Sequence, residues 1–211
     1  MPRVKVCGFA NEEDVSAAVS VGVDAVGTIV DVPVETPREV SPSNAASLVG
    51  TVPPFVSSVL VTMPDSVDRA RELIDIVHPD AIQIHGGLSP SAVGELAEAG
   101  ITTIASVDHG NPDIEQYATV ADAVLVDSSD ERGAGGTGRT HDWSVTRDLG
   151  GLEAPIILAG GLTPANVDAA VEMVDPYAVD VASGVEIEPG RKDPARLRQF
   201  VEAATSAGST P

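Results

Sequence analysis

With one cysteine, two lysines, three Phe, two Tyr, one Trp and no long apolar run, the chain is defined first by what it has little of. The lone Cys7 cannot close an internal disulfide, and without a cysteine cluster there is no zinc or iron–sulfur framework of that kind. No stretch reaches the ~18 apolar residues of a membrane span, so none is predicted. The start, Met1-Pro2-Arg3-Val4-Lys5-Val6, enters a strand pattern at once and shows no signal-peptide leader, so a cytoplasmic setting is expected. Basic residues are scarce as well: 12 face 32 acidic ones, and only Lys5 and Lys192 are lysines. A net charge of −20 repels nucleic acid and anionic membrane surfaces, which leaves neither as an expected partner.

The acidic residues are spread along the chain between segments rich in Val and Ile, unlike those of a disordered acidic protein. They read as a solvated carboxylate surface of a salt-adapted (halophilic) protein, where screening shrinks self-repulsion. The plainer alternative is an ordinary acidic protein.

The 43% of apolar residues, mostly Val, Ala, Ile and Leu, suit strands covered by helices. Short β-branched runs alternate with helical patterns about every 20–25 residues. Strands are predicted at 3–7, 24–30, 56–62, 80–84, 101–106, 122–126, 155–159 and 177–182. Helices are predicted near 11–21, 42–49, 65–77, 90–99, 111–118, 143–149, 164–173 and 193–204. Asn11 with Asp14, Ser89-Pro90, Asn111-Pro112 and Thr163-Pro164 read as helix starts. Gly22, Gly100 and Gly150 sit where helices should stop. Eight strand–helix pairs fit an α/β fold of the (β/α)8 TIM-barrel type, one domain over 1–205 with a polar tail at 206–211. A doubly wound open sheet is the rival, but the first turn, Cys7-Gly8-Phe9-Ala10-Asn11, lacks a dinucleotide-binding G-x-G-x-x-G.

Two glycine turns stand at neighbouring strand ends: Gly160-Gly161 after strand seven and Ser183-Gly184 after strand eight. In such barrels this is a common phosphate site, because glycines let backbone N–H groups converge on an anion beside a helix start. Each pair alone could be only a tight turn. Cys7 ends strand one and Asp127 ends strand six, on either side of those turns in an eight-strand ring. An acid and a base so placed suit an isomerisation without a redox cofactor, although a single cysteine is as readily an inert core residue. Asp180, within strand eight, is either a rim residue or the partner of a buried donor. Arg38, after strand two, is a candidate for a substrate carboxylate, or else a surface ion pair with Glu35 or Glu39.

His85 ends strand four and is expected near ligand or just behind it. His78 reads as surface, His109 as rim or turn, and His141 as structural. No H-E-x-x-H or comparable set appears, so no metal site is predicted. The long segment from Ser128 to Asp142, with Gly135 and Gly136, is read as a cover over the barrel mouth or as a plain solvent loop; Trp143 is expected to anchor its end.

Along nearly its whole length the chain resembles the phosphoribosylanthranilate isomerase family of tryptophan biosynthesis. The residues that carry the resemblance are Val4-Lys5-Val6-Cys7-Gly8, Asp24-Ala25-Val26-Gly27, Gln83-Ile84-His85-Gly86, the run from Gly135-Gly136-Thr137-Gly138 to Asp142-Trp143, Gly160-Gly161-Leu162 with Asn166-Val167, and Val179-Asp180-Val181 through Ser183-Gly184-Val185-Glu186 to Lys192-Asp193. The resemblance implies a cofactor-independent Amadori rearrangement with Cys7 as general base and Asp127 as general acid. It implies further that Arg38 meets the anthranilate moiety, that Asp180 stands at the rim, and that Gly160, Gly161, Ser183 and Gly184, with the Gly135-Gly136 loop nearby, take the phosphate. Two segments depart from the family's usual pattern: Val59-Leu60-Val61-Thr62-Met63-Pro64 in strand three, and a strand five without lysine. The partner implied is a small-molecule substrate, for a monomer or homodimer. The rivals are another sugar-phosphate barrel enzyme, epimerase-like or related to indole-glycerol-phosphate chemistry, and a non-catalytic anion-binding barrel.

Overall fold

The computed structural model of the protein describes residues 1–108, 110–127 and 143–207. His109, the 128–142 segment with Gly135, Gly136 and His141, and residues 208–211 lie outside the described residues. Eight parallel strands close into a barrel in sequence order: β1 (Arg3–Cys7), β2 (Ala25–Ile29), β3 (Ser57–Thr62), β4 (Ala81–Ile84), β5 (Thr102–Asp108), β6 (Ala123–Asp127), β7 (Ile156–Ala159) and β8 (Ala178–Val181). The expected barrel is therefore the observed one, and an open sheet is not. The helices are α1 (Glu12–Ser20), α2 (Pro42–Val49), α3 (Val67–Val77), α4 (Pro90–Glu98), α5 (Ile114–Val120), α6 (Ser144–Arg147), α7 (Val167–Val174) and α8 (Pro194–Ser206).

Local chemistry explains most starts. The side chains of Asn11, Ser41, Ser66 and Ser89 each accept from a backbone N–H three residues on, and Asp193 accepts from Ala195 and Arg196, satisfying donors that a first helical turn leaves free. Two expected starts are corrected. After Asn111-Pro112 a turn intervenes, with Asn111 accepting from the Asp113 amide, and α5 opens only at Ile114. After Thr163-Pro164 the Asn166 side chain accepts from the Thr163 amide and donates to the Gly161 carbonyl, so α7 opens at Val167. A proline after a polar residue suits a tight turn as well as a first helical position. A 3-10 turn (Ser183–Val185) and an antiparallel ribbon of β9 (Glu186–Glu188) and β10 (Arg191–Lys192) follow β8, and no periodicity announced them.

Alternation along the strands sorts the core into two shells. Val4, Val6, Val26, Leu60, Ile82, Val124, Leu158 and Val179 point outward and pack with the helices. Cys7, Val59, Val61, Ala81, Ile104, Ala123, Leu125, Ile157, Ala159 and Ala178 fill the barrel interior. Gly27 and the four alanines keep that interior narrow in side-chain volume, which leaves room for the long, buried Lys5 and Gln83. At the opposite end from the mouth, Asp24, Asp80 and Asp122 each accept the amide of a residue opening the preceding strand, namely Val4, Ser58 and Thr103. These carboxylates satisfy donors at strand entry and fix the register of three strand pairs.

Candidate active site

The interior positions of the strands lead upward to the C-terminal mouth, where (β/α)8 proteins carry their chemistry. Cys7 is the last residue of β1 and is 6% exposed. Its register partner on β2 is Gly27. Asp127, the last residue of β6, pairs in register with Asp108 on β5 and Ala159 on β7; its side chain is partly exposed. Both residues hold the parity of the inward face, and the ends of β7 and β8 lie between them on one side of the ring.

The two glycine turns adjoin one another. Gly160 and Gly161 have φ of 92° and 62°, the left-handed region that favours glycine. Gly184 is glycine for a different reason: a Cβ there would collide with the Leu162 carbonyl oxygen, and it would lie 3.0 Å from the Leu162 carbonyl carbon and 3.2 Å from Thr163 Cα. The turn after β8 thus presses directly on the turn after β7. Backbone groups brought this close can converge on one anion.

Around Cys7 the structure gathers charges that the sequence reading did not pair. Asp180 accepts from Lys5 Nζ at 2.9 Å, a buried ion pair across β1 and β8, so of its two readings the partner of a buried donor is the one seen. Arg38 is engaged by neither Glu35 nor Glu39. Its Nε and Nη2 donate to the two oxygens of Glu186 at 2.8 and 2.7 Å, a planar fork. The Arg38 stem crosses over Gly8, where a Cβ would meet Arg38 Cδ at 2.7 Å, so the guanidinium is held beside the end of β1. Glu186 also accepts from Lys192 Nζ at 2.9 Å. The other two Lys192 donors go to the carbonyls of Cys7, at 2.6 Å, and Ala182, at 3.1 Å. That ammonium uses all its hydrogens to tie the ends of β1 and β8 together, with the Phe9 ring 5.5 Å away.

Electrostatics follow from this packing. Burial pushes the Glu186 carboxyl up, but the Arg38 hydrogen bonds and the Lys192 charge outweigh it and hold it below the usual carboxylate range. Lys192 faces a single carboxylate, and burial pulls it below the ordinary lysine value. Burial pushes the Cys7 thiol up while the Lys5 charge pulls it down, and the net direction is upward.

His85 directly follows β4, is exposed at the mouth, and its Nδ1 lies 3.0 Å from Ser106 Oγ on β5. Trp143 is buried in the same outer cluster as Leu158 and Leu162. Among the described residues no three His, Cys, Asp or Glu side chains are gathered as for a metal ion. The reading missed Lys5, Glu186 and Lys192. Lys5 had a usable signal, since a lysine two residues before Cys7 in a strand must share its face; the other two sit in an irregular segment with none.

A closed eight-strand barrel with inward acid, thiol and ammonium groups at its mouth defines an enzyme of the (β/α)8 class. Residues 4–203 match the family model described as N-(5'phosphoribosyl)anthranilate (PRA) isomerase. The chain belongs to that family. It is 55% identical to the N-(5'-phosphoribosyl)anthranilate isomerase of Natronomonas pharaonis over 97% of this chain and 98% of that one. The phosphoribosyl anthranilate isomerase of Thermotoga maritima superposes with a TM-score of 0.87 at 35% identity, covering 98% of this chain and all (100%) of that one. A structure of the isomerase in complex with reduced 1-(o-carboxyphenylamino)-1-deoxyribulose 5-phosphate superposes with a TM-score of 0.81 at 34% identity, covering 98% and 100%.

Proposed function

We propose that this isomerase converts N-(5-phosphoribosyl)anthranilate to 1-(2-carboxyphenylamino)-1-deoxyribulose 5-phosphate in tryptophan biosynthesis, with Cys7 as general base, Asp127 as general acid and no cofactor. The observation that carries the reading is the placement of these two residues at inward strand ends, flanking the paired turns after β7 and β8. Family membership supports the reaction, and the placement of Cys7 and Asp127 on either side of the paired turns is compatible with the two roles.

In this mechanism Asp127 gives its proton to the furanose ring oxygen as the bond from that oxygen to C1 breaks. The anilino nitrogen lone pair closes a C=N bond to C1, forming the iminium. Cys7 then takes the proton from C2, and the electrons of that bond move between C1 and C2 to neutralise the iminium as an enolamine. Tautomerisation gives the ketone. Gly160, Gly161, Ser183 and Gly184 hold the phosphate, joined by Gly135 and Gly136. Arg38 keeps three N–H groups after its two bonds to Glu186, enough to grip the anthranilate carboxylate. His85 lines the mouth beside Ser106. Arg38 brings a guanidinium to this end for a substrate that carries both a phosphate and a carboxylate, in a chain of net charge −20. No described helix is long and apolar enough to cross a membrane, and a cytoplasmic setting belongs to this reading.

Consumption of phosphoribosylanthranilate by the purified protein is the direct test, and its absence ends the proposal. Cys7→Ser and Asp127→Asn should each lower kcat by about 10²–10⁴ while binding of a reduced product analogue persists. If Cys7→Ser keeps wild-type kcat across pH, Cys7 is a core residue and His85 becomes the first alternative base.

A further inference from the structure

Lys5 and Cys7 stand two residues apart on the inward face of β1, and Lys5 is 3% exposed. A lysine so enclosed needs a strong local reason, because burial of an ammonium without partners costs several kcal/mol. One partner is Asp180, its register neighbour on β8, at 2.9 Å. The second neighbour is Cys7, whose thiolate the charge of the same ammonium favours against burial. Gly27 shows how the two come together. A Cβ at position 27 would lie 3.1 Å from Cys7 Sγ and 3.3 Å from Lys5 Nζ, so sulfur and nitrogen share the space that a side chain there would fill. Gly27 lies mid-strand and outside the left-handed region, so it is space rather than backbone conformation that calls for glycine.

Resting on the reading of Cys7 as the base, we infer that Lys5 is its positioning residue: an ammonium anchored by Asp180 and aimed through the Gly27 gap at Sγ, which stabilises the thiolate needed for proton abstraction. The other charges facing Cys7 are Asp180 on β8, Lys192 above the end of β1, Arg38 over Gly8, and Asp127 across the ring. Lys192 already spends its three donors on oxygens, and Arg38 is forked onto Glu186. Lys5 Nζ lies with the sulfur beside Gly27, and of the cations its charge favours the thiolate most. Asp180 plays two opposed parts, holding Lys5 in place while its own charge disfavours the thiolate.

That opposition gives a test that a purely structural role would not pass. Cys7 is the lone cysteine, so the pH dependence of its alkylation by iodoacetamide, read by mass spectrometry on the whole protein, reports its titration without reference to turnover. Lys5→Met should move the alkylation midpoint up by about 1 unit or more, the usual reach of a neighbouring opposite charge. Asp180→Asn, which keeps the hydrogen-bonding outline and removes the anion, should move it down. In turnover, Lys5→Met should lower kcat at neutral pH by roughly ten-fold or more and shift the rising limb of the pH profile upward, with KM little changed. Should Lys5→Met fail to fold, Asp180→Asn and the Lys5→Met/Asp180→Asn pair decide, the pair being expected above wild type and below Lys5→Met wherever the single variant can be measured. A midpoint that stays in place in these variants overturns the role of Lys5 even if Cys7→Ser is inactive. Shifted midpoints in a protein that does not consume phosphoribosylanthranilate would instead overturn the proposed reaction and leave the thiol–ammonium coupling standing.

Discussion

Gly184→Ala adds one methyl group at the point where the turn after β8 presses on the turn after β7. The new Cβ would overlap the Leu162 carbonyl oxygen and crowd the Leu162 carbonyl carbon at 3.0 Å and Thr163 Cα at 3.2 Å. All three are backbone atoms, so no side-chain rotation can relieve the clash and one turn must move. Overpacking of this kind costs about 1–3 kcal/mol, which for a chain of this size lowers Tm by roughly 3–10 °C. Displacement should also pull backbone donors away from the phosphate. Losing one charge-assisted hydrogen bond costs about 1.5–3 kcal/mol, which corresponds to a KM about 10–100-fold higher. Gly22→Ala is the matched control: φ is +89° and nothing lies within 4 Å of its Cβ, so it should cost stability through backbone strain alone and leave KM in place. Thermal melts and steady-state kinetics on both variants, with titration of a reduced product analogue, separate the two effects. Wild-type KM and analogue affinity in Gly184→Ala would refute the assignment of the phosphate to these turns.

Two further outcomes follow from charge. With both lysines buried and a net charge of −20, the surface is a carboxylate shell relieved only by arginine, and the screening length falls from about 10 Å at 0.1 M salt to about 3 Å at 1 M; Tm should climb through a KCl series to molar concentration, and a flat or falling series would contradict salt adaptation. Glu186, whose carboxyl lies below the usual range, contributes stability that is complete above the unfolded carboxylate pKa and is lost as pH falls through its folded value. Glu186→Gln should therefore cost about 3–5 kcal/mol near neutrality, since it leaves buried Lys192 without its anion, and progressively less in urea melts below about pH 4; a constant penalty across that range would show that the ion pair is not its source.

Much of the fold was legible because its signals are local. Runs such as Val59-Leu60-Val61 and Ile156-Ile157-Leu158 have apolar shells on both sides and read as buried strands, and seven of the eight strands end within one residue of expectation. β5 alone runs two residues longer, to Asp108, paired there with Asp127. Ser and Asn caps act over three residues and announced α1 and α4; at Asn111 and Thr163 the same polar residues built turns first, a choice that residues three apart cannot settle. The inward aim of Cys7 and Asp127 needed only strand parity and ring order. What the sequence alone left undecided was who answers whom at the mouth. Arg38 reaches Glu186 over 148 positions, Lys5 reaches Asp180 over 175, and Lys192 reaches the Cys7 carbonyl over 185. Propensity, capping and periodicity all decay within a turn or two of chain, whereas these contacts exist because closure sets β1 beside β8, and that is a property of the ring rather than of any segment in it.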